Sequence, residues 1–119
     1  MTSSDNDPRV LIIDDEPAIC RIVSYTLKRN GFDVESVSDP TQVEEMLGHD
    51  AFQVILLDRS MGSIKGSSLV PLLREKAPTA KILYFTGEFL GSEEIATVDG
   101  VVQKPVNSKQ LTETLRGVL

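Results

Sequence analysis

Five side chains with reactive or charged groups stand at the ends of four short apolar runs: Asp14, Asp15, Asp58, Thr86 and Lys104. Carboxylates brought close together repel one another, which raises at least one pKa unless a cation neutralises them. Mg²⁺ is a suitable cation, since it commonly takes one or two carboxylates together with waters and a phosphate. A lysine ammonium and a threonine hydroxyl both suit phosphoryl oxygens. The set therefore predicts phosphoryl transfer, in which an ionised aspartate can attack phosphorus and form an acyl phosphate.

Each of these residues also has an ordinary structural interpretation. Asp14-Asp15 could cap a helix, and Asp58 could be a turn residue, as aspartates after strands often are. Thr86 could simply end a strand, and Lys104 could be a solvated surface lysine. Their joint occurrence at the ends of four separate runs favours a shared site over coincidence.

The apolar runs predict the strands that must position these side chains. Val54–Leu57 has polar residues on both sides, which is typical of a strand buried on both faces at the centre of a parallel sheet. Val10–Ile13 predicts a second buried strand, and Val34 with Val37 predicts a more polar edge strand. Lys81–Phe85 predicts a fourth strand and Val101-Val102 a short fifth one.

Helical patterns separate the first three strands. Pro17 after three acids predicts the start of the first helix, and Asn30-Gly31 predicts its end. Asp39-Pro40 predicts a capped second helix. The predicted inward-facing residues of these two helices are Ile19, Ile22, Val23, Thr26 and Leu27, and then Val43, Met46 and Leu47.

The second half of the chain carries one weak and two clear helical patterns. The third helix is predicted from about Ser67 or Ser68 to before Pro78, and the last begins near Asn107, which has a glutamine three residues later as in a capping box. Phe89–Asp99 is poorly patterned, so a helix there is predicted to be short or irregular. The predicted inward-facing residues are Leu69, Leu72 and Leu73, and then Leu111, Leu115 and Val118.

This alternation repeats a strand and a helix five times. Because parallel crossovers are right-handed, it predicts an α/β fold with a five-stranded doubly wound parallel sheet. The common order is 2-1-3-4-5, with the switch point between strands one and three. The carboxyl ends of the strands then meet at one edge, which would bring Asp14, Asp15 and Asp58 together with Thr86 and Lys104 beside them.

Composition narrows the class of protein. With 119 residues the chain fits one domain, predicted at residues 9–119 behind a mobile tail at 1–8. A net charge of −6 argues against a nucleic-acid or anionic-membrane partner. The single cysteine, Cys20, permits no internal disulfide and is predicted to pack in the core. The sequence has neither a signal-peptide pattern nor a membrane-length apolar stretch, so a cytoplasmic location is predicted.

With these residues in place, the sequence resembles the response-regulator receiver domain of two-component signalling, which has a flavodoxin-like fold, over nearly its whole length. The residues that carry the resemblance are Asp14-Asp15, Asp58, Thr86 and Lys104-Pro105, with Met61 and Gly66 in the loop after Asp58. The resemblance implies that Asp58 accepts a phosphoryl group from a histidine kinase or phosphotransfer protein. It also implies that Lys104 pairs with that group and that Thr86 reorients toward it. The implied Mg²⁺ ligands are Asp15, Asp58 and the Ser60 backbone carbonyl, with Asp14 assisting.

Three departures from the family pattern concern the output of the domain. Gly62 stands where proline usually follows Met61, and Lys65 stands where an acid often precedes Gly66. Val101 takes the usual place of an aromatic switch residue. The interval from Thr86 to Lys104 is shorter than usual by about one helical turn. These departures predict an altered fourth helix and an altered switching mechanism.

The leading hypothesis is a single-domain response regulator, a phosphoprotein that assists its own phosphorylation and dephosphorylation and is not otherwise an enzyme. Because no linker or second domain follows Leu119, its output is expected through contact with a protein target. The alternative is a receiver-like interaction module that works without phosphorylation. A small metal-dependent phosphohydrolase fits less well, since Ser60 stands where that class has a second aspartate. A flavodoxin-like cofactor carrier fits least, because Asp14-Asp15 would repel the cofactor phosphate.

Overall fold

The structure, a computed structural model, describes residues 7–49, 51–104 and 107–119. Residues 1–6 of the predicted tail, and Pro105 of the Lys104-Pro105 motif, lie outside the described residues. Five strands form the main sheet: β1 (Arg9–Ile13), β2 (Asp33–Val37), β3 (Val54–Asp58), β4 (Lys81–Thr86) and β5 (Gly100–Gln103).

The sheet is parallel throughout and has the order β2-β1-β3-β4-β5. This order confirms the predicted doubly wound topology. All five residues of β3 are buried, as expected for a central strand covered on both faces. β2 lies at an edge and exposes Glu35 and Ser36, which accounts for its more polar sequence.

Helices cover both faces of the sheet: α1 (Pro17–Arg29), α2 (Val43–His49), α3 (Val70–Lys76), α4 (Ser92–Ile95) and α5 (Ser108–Val118). One buried cluster joins α1 and α5 to the sheet, and the other lies on the face covered by α2 and α3. Alternate residues of the central strands point to opposite clusters, as the pleat requires. In the part of the chain that the structure describes, no helix has the length and apolar character needed to cross a membrane.

The inward stripe predicted for α1 is wrong at one position. Cys20, Val23 and Leu27 are buried and Ile19 packs against them, but Ile22 is 63% exposed. Ile22 borders an open groove between α1 and α5, where Leu111 also lies. The periodic pattern alone could not tell a residue at the margin of the buried face from one beneath it.

The predicted helix starts differ in accuracy. Asn107 Oδ1 accepts a hydrogen bond from the Gln110 amide at 2.8 Å, and Asp39 Oδ1 accepts one from the Thr41 amide at 2.9 Å. A 3₁₀ turn over Pro40–Gln42 precedes α2. The third helix begins later than predicted, since Gly66–Leu69 is also a 3₁₀ turn and Val70 is the first α-helical residue. Leu72, predicted to face inward, is only partly buried.

Candidate functional site at the carboxyl edge of the sheet

The ends of four strands bring the predicted site residues to one edge. Asp14 directly follows β1 and Lys104 directly follows β5, whereas Asp58 and Thr86 are the last residues of β3 and β4. Two backbone hydrogen bonds continue the sheet past these ends, from the Asp14 amide to the Val37 carbonyl at 3.1 Å and from the Lys104 amide to the Thr86 carbonyl at 2.9 Å. The side chains therefore leave the sheet from well-anchored backbone.

Three carboxylates meet at this edge. One oxygen from each of Asp14, Asp15 and Asp58 lies within 4.8 Å of the other two. Asp14 and Asp58 are buried, and Asp15 is exposed. Asp14 Oδ1 accepts a hydrogen bond from the Glu16 amide at 3.0 Å, which orients its carboxylate. The arrangement is a cluster of oxygen ligands with one side open to solvent.

Lys104 forms an ion pair with two of these acids. Its Nζ donates to Asp14 Oδ2 at 2.8 Å and lies 4.0 Å from Asp58 Oδ1. The ammonium also lies 4.9 Å from the centre of the Phe85 ring. Burial disfavours its charge, but the hydrogen bond and charge of Asp14, with that of Asp58, outweigh burial and raise the pKa of Lys104. Lys104 is therefore charged at neutral pH and stands between the two buried acids.

Asp58 is the acid most perturbed by this environment. Burial, followed by the charge of Asp14, raises the pKa of Asp58 from 3.8 to about 6, although Lys104 and the Ser60 amide oppose the shift. The ionised form of Asp58 is thus unfavourable in this environment. An additional cation placed beside the group would stabilise that ionised form. The electrostatics thus favour binding of a cation at Asp58.

Thr86 is buried beside this cluster on the neighbouring strand. Its Oγ1 accepts a hydrogen bond from the Glu88 amide at 3.1 Å. A hydroxyl that accepts one bond still has its hydrogen to donate. Thr86 can therefore donate to an acceptor that arrives at the carboxyl edge.

The loop after Asp58 is more ordered than a simple connection. Ser60–Met61 pairs antiparallel with Ile64–Lys65, and Gly62 turns the chain with a φ of 63°. Proline fixes φ near −65°, so it could not take this conformation, which explains glycine in the usual place of proline. The Ser60 amide lies 3.4 Å from Asp58 Oδ1, so Ser60 is beside the acid.

Gly66 closes this loop onto the strand end. Its amide donates to the Arg59 carbonyl at 2.6 Å. A Cβ at residue 66 would lie 2.0 Å from the backbone oxygen of Asp58. Only glycine permits this approach, which holds the loop against the residue that carries the candidate acceptor.

Sequence reasoning missed an ion-pair cluster next to the site. Arg59 Nε and Nη2 donate to the two carboxylate oxygens of Glu94 at 2.9 and 2.8 Å, and Nη1 donates to Glu88. The hydrogen bond from Arg59 lowers the pKa of Glu94, and the bond to Glu94 raises that of Arg59. An arginine beside Asp58 and acids after β4 were visible signals, but no local periodicity relates residues 35 positions apart.

This fold and this edge define a class of protein. The chain belongs to the response regulator receiver domain family, whose sequence model matches residues 10–116. Receiver domains are signalling domains of two-component systems, which agrees with the predicted class.

The chain is also similar to individual proteins of this family. It is 30% identical over 115 residues to the alginate biosynthesis transcriptional regulatory protein AlgB of Pseudomonas aeruginosa, covering 92% of this chain and 25% of AlgB. It is 26% identical to the probable transcriptional regulatory protein TcrX of Mycobacterium tuberculosis, covering 100% of this chain and 53% of TcrX. The chain thus spans about a quarter and about half of these relatives. The chemotaxis response regulator CheY4 of Vibrio cholerae is 30% identical, with a TM-score of 0.86 over 96% of this chain and 100% of CheY4.

Proposed function

We propose that Asp58 accepts a phosphoryl group from a histidine kinase or phosphotransfer protein in a Mg²⁺-dependent reaction, within a receiver domain that spans residues 9–119. The observation that supports this most strongly is the environment of Asp58. It is a buried carboxylate with a pKa raised to about 6, within 4.8 Å of two further acids and 4.0 Å from the Lys104 ammonium. This combination suits a nucleophile that works beside bound cations.

The donor set fits a magnesium ion. Asp14, Asp15 and Asp58 offer only oxygen ligands, and the repulsion between Asp14 and Asp58 is the kind that a divalent cation relieves. We assign these three carboxylates and the Ser60 carbonyl as the groups that would hold it. When bound, the cation would neutralise charge on the carboxylates and on the phosphoryl oxygens.

In the proposed transfer, one Asp58 oxygen forms a bond to phosphorus while the bond from phosphorus to the donor's imidazole nitrogen breaks. The electron pair of that bond leaves with the imidazole, and Asp58 becomes an acyl phosphate. Lys104 pairs with a phosphoryl oxygen, and the Thr86 hydroxyl donates to another. In dephosphorylation, water attacks the phosphorus and the Asp58 carboxylate leaves. The domain assists both steps by positioning these groups.

The proposed output is contact with a protein target, through the surface near β5 and its flanking helices. In this proposal Thr86 and Lys104 contact the phosphoryl group. The Lys104 amide donates a hydrogen bond to the Thr86 carbonyl at 2.9 Å, which links the ends of β4 and β5 directly. A change at Asp58 therefore has a route to β5. The acidic net charge of −6 suits a partner with a basic docking surface.

A small phosphodonor with Mg²⁺, followed by intact-protein mass spectrometry, tests the proposal. We expect the native protein to gain the mass of one phosphoryl group and Asp58→Asn to gain none. Asp39→Asn, which changes an exposed helix cap away from the site, is the matched control and should be modified like the native protein. Equal modification of the native protein and Asp58→Asn would contradict the assignment, as would full modification in the presence of excess EDTA.

A further inference from the structure

Arg59 directly follows Asp58 and joins it to two later segments of the chain. Its guanidinium binds both carboxylate oxygens of Glu94, which lies in α4, and also binds Glu88 in the loop before that helix. Two parallel N–H···O bonds fix orientation as well as distance. One side chain therefore holds both ends of the segment 88–94.

Thr86 is connected to this ion-pair cluster through Glu88. The Glu88 amide donates to Thr86 Oγ1 at 3.1 Å, while the Glu88 carboxylate accepts from Arg59. A change of the Thr86 χ1 rotamer that moves Oγ1 toward Asp58 breaks the first of these bonds. Glu88 then loses its anchor on the strand end, so its carboxylate is held less firmly against Arg59.

This connection matters because β5 offers no aromatic side chain. Its residues are Gly100, Val101, Val102 and Gln103, and Val101 is only partly buried. Val101 lies in the wall of an open cavity of about 350 Å³ whose rim includes Glu88, Phe89 and Ile95. The small side chain of Val101 offers little to link Thr86 to α4, whereas Glu88 is hydrogen-bonded both to Thr86 and to Arg59.

We propose that Arg59, Glu88 and Glu94 form an ionic latch that couples the Thr86 hydroxyl to α4. The latch is closed in the unphosphorylated protein and opens when Thr86 turns toward a phosphoryl group on Asp58; this opening signal rests on the function proposed above. The side chains of Arg59, Glu88 and Glu94 are 29%, 55% and 33% exposed. Water can therefore replace the lost bonds, which keeps the opening reversible.

The closed latch can be tested by hydrogen exchange without any phosphodonor. The Ala96 and Thr97 amides close the turn of α4 on the Ser92 and Glu94 carbonyls, at 3.0 and 3.1 Å. Glu94→Gln should lower their protection about fivefold, the effect of losing a partly exposed ion pair. Glu93→Gln, at the exposed neighbouring position, is the control and should leave protection unchanged. Equal protection in Glu94→Gln and the native protein would overturn the latch.

The coupling to Thr86 is tested by combining variants. Thr86→Val removes the hydroxyl and should lower the same protection severalfold in the native background, but not in the Glu94→Gln background where the latch is already open. Thr86→Ser keeps the oxygen that accepts from the Glu88 amide and should leave the protection of Ala96 and Thr97 at its native value. If Thr86→Val has the same effect in both backgrounds, Thr86 acts independently of the latch and the proposal is wrong.

Phosphorylation allows a third experiment, in which failure of the latch can be told apart from failure of the proposed function. Phosphodonor and Mg²⁺ should lower Ala96 and Thr97 protection in the native protein, and should add no further loss in Glu94→Gln even though its mass shows the phosphoryl group. A phosphorylated native protein with unchanged protection would overturn the opening of the latch. If no phosphoryl mass is gained at all, the proposed function fails, while the two exchange experiments still decide whether the latch exists.

Discussion

Replacing Asp58 by asparagine should stabilise the folded protein at neutral pH. In the native state, burial and the charge of Asp14 raise the pKa of Asp58 from 3.8 to about 6. The unfolded chain ionises Asp58 near the ordinary value, so folding takes up a proton between about pH 4 and pH 6. The free energy of unfolding therefore falls as the pH rises through this window, and above pH 6 the full cost of burying the charge is present.

The size of the effect follows from the shift. Roughly two pKa units at about 1.4 kcal/mol each correspond to about 3 kcal/mol at pH 7.5 and to roughly half of that at pH 5. Asparagine has nearly the same shape, carries no charge and keeps an oxygen for the Ser60 amide. The Asn variant should thus exceed the native protein in stability by up to this amount, with a difference that shrinks as the solution is acidified.

Urea unfolding in EDTA at several pH values measures this difference. Asp15→Asn is the matched control, because Asp15 is exposed and its replacement should change stability by less than about 0.5 kcal/mol. Adding Mg²⁺ should stabilise the native protein more than the Asn variant, since a cation bound to the folded state offsets the repulsion there. A pH-independent difference, or an Asn variant that is less stable at pH 7.5, would refute the reasoning.

Three further predictions concern the surroundings of the site. Gly66→Ala should lower the free energy of unfolding, measured in urea, by about 3 kcal/mol, because the added Cβ would meet the Asp58 backbone. The control is Gly48→Ala in α2, where the Cβ has open space and should raise the free energy of unfolding by up to about 1 kcal/mol. Lys104→Met should raise the pKa of Asp58 further, measured by NMR titration, since the nearest cation is lost; an unchanged pKa would contradict the assigned ion pair. Asn107→Ala should cost about 1 kcal/mol of stability through the lost cap on α5, and no loss would show that the cap bond is unimportant.

Much of the architecture was predictable because its signals are local. Four of the five strands contain a short apolar run, and each of these runs is followed closely by a residue or pair predicted to reach the carboxyl edge, as β3 is by Asp58. Right-handed crossovers leave few arrangements for such an alternation, so the strand order followed as well. The weak pattern after Phe89 likewise predicted the short α4, which has only four residues.

The tertiary structure decided what depends on distant neighbours. The exposure of Ile22 depends on where α5 lies against α1, and the need for glycine at residue 66 depends on how closely the loop returns to Asp58. The bond between Arg59 and Glu94 is a contact between side chains 35 residues apart. Periodicity reports which face of one element is apolar, but it carries no information about which charged side chains meet when separate loops converge at the edge of a sheet.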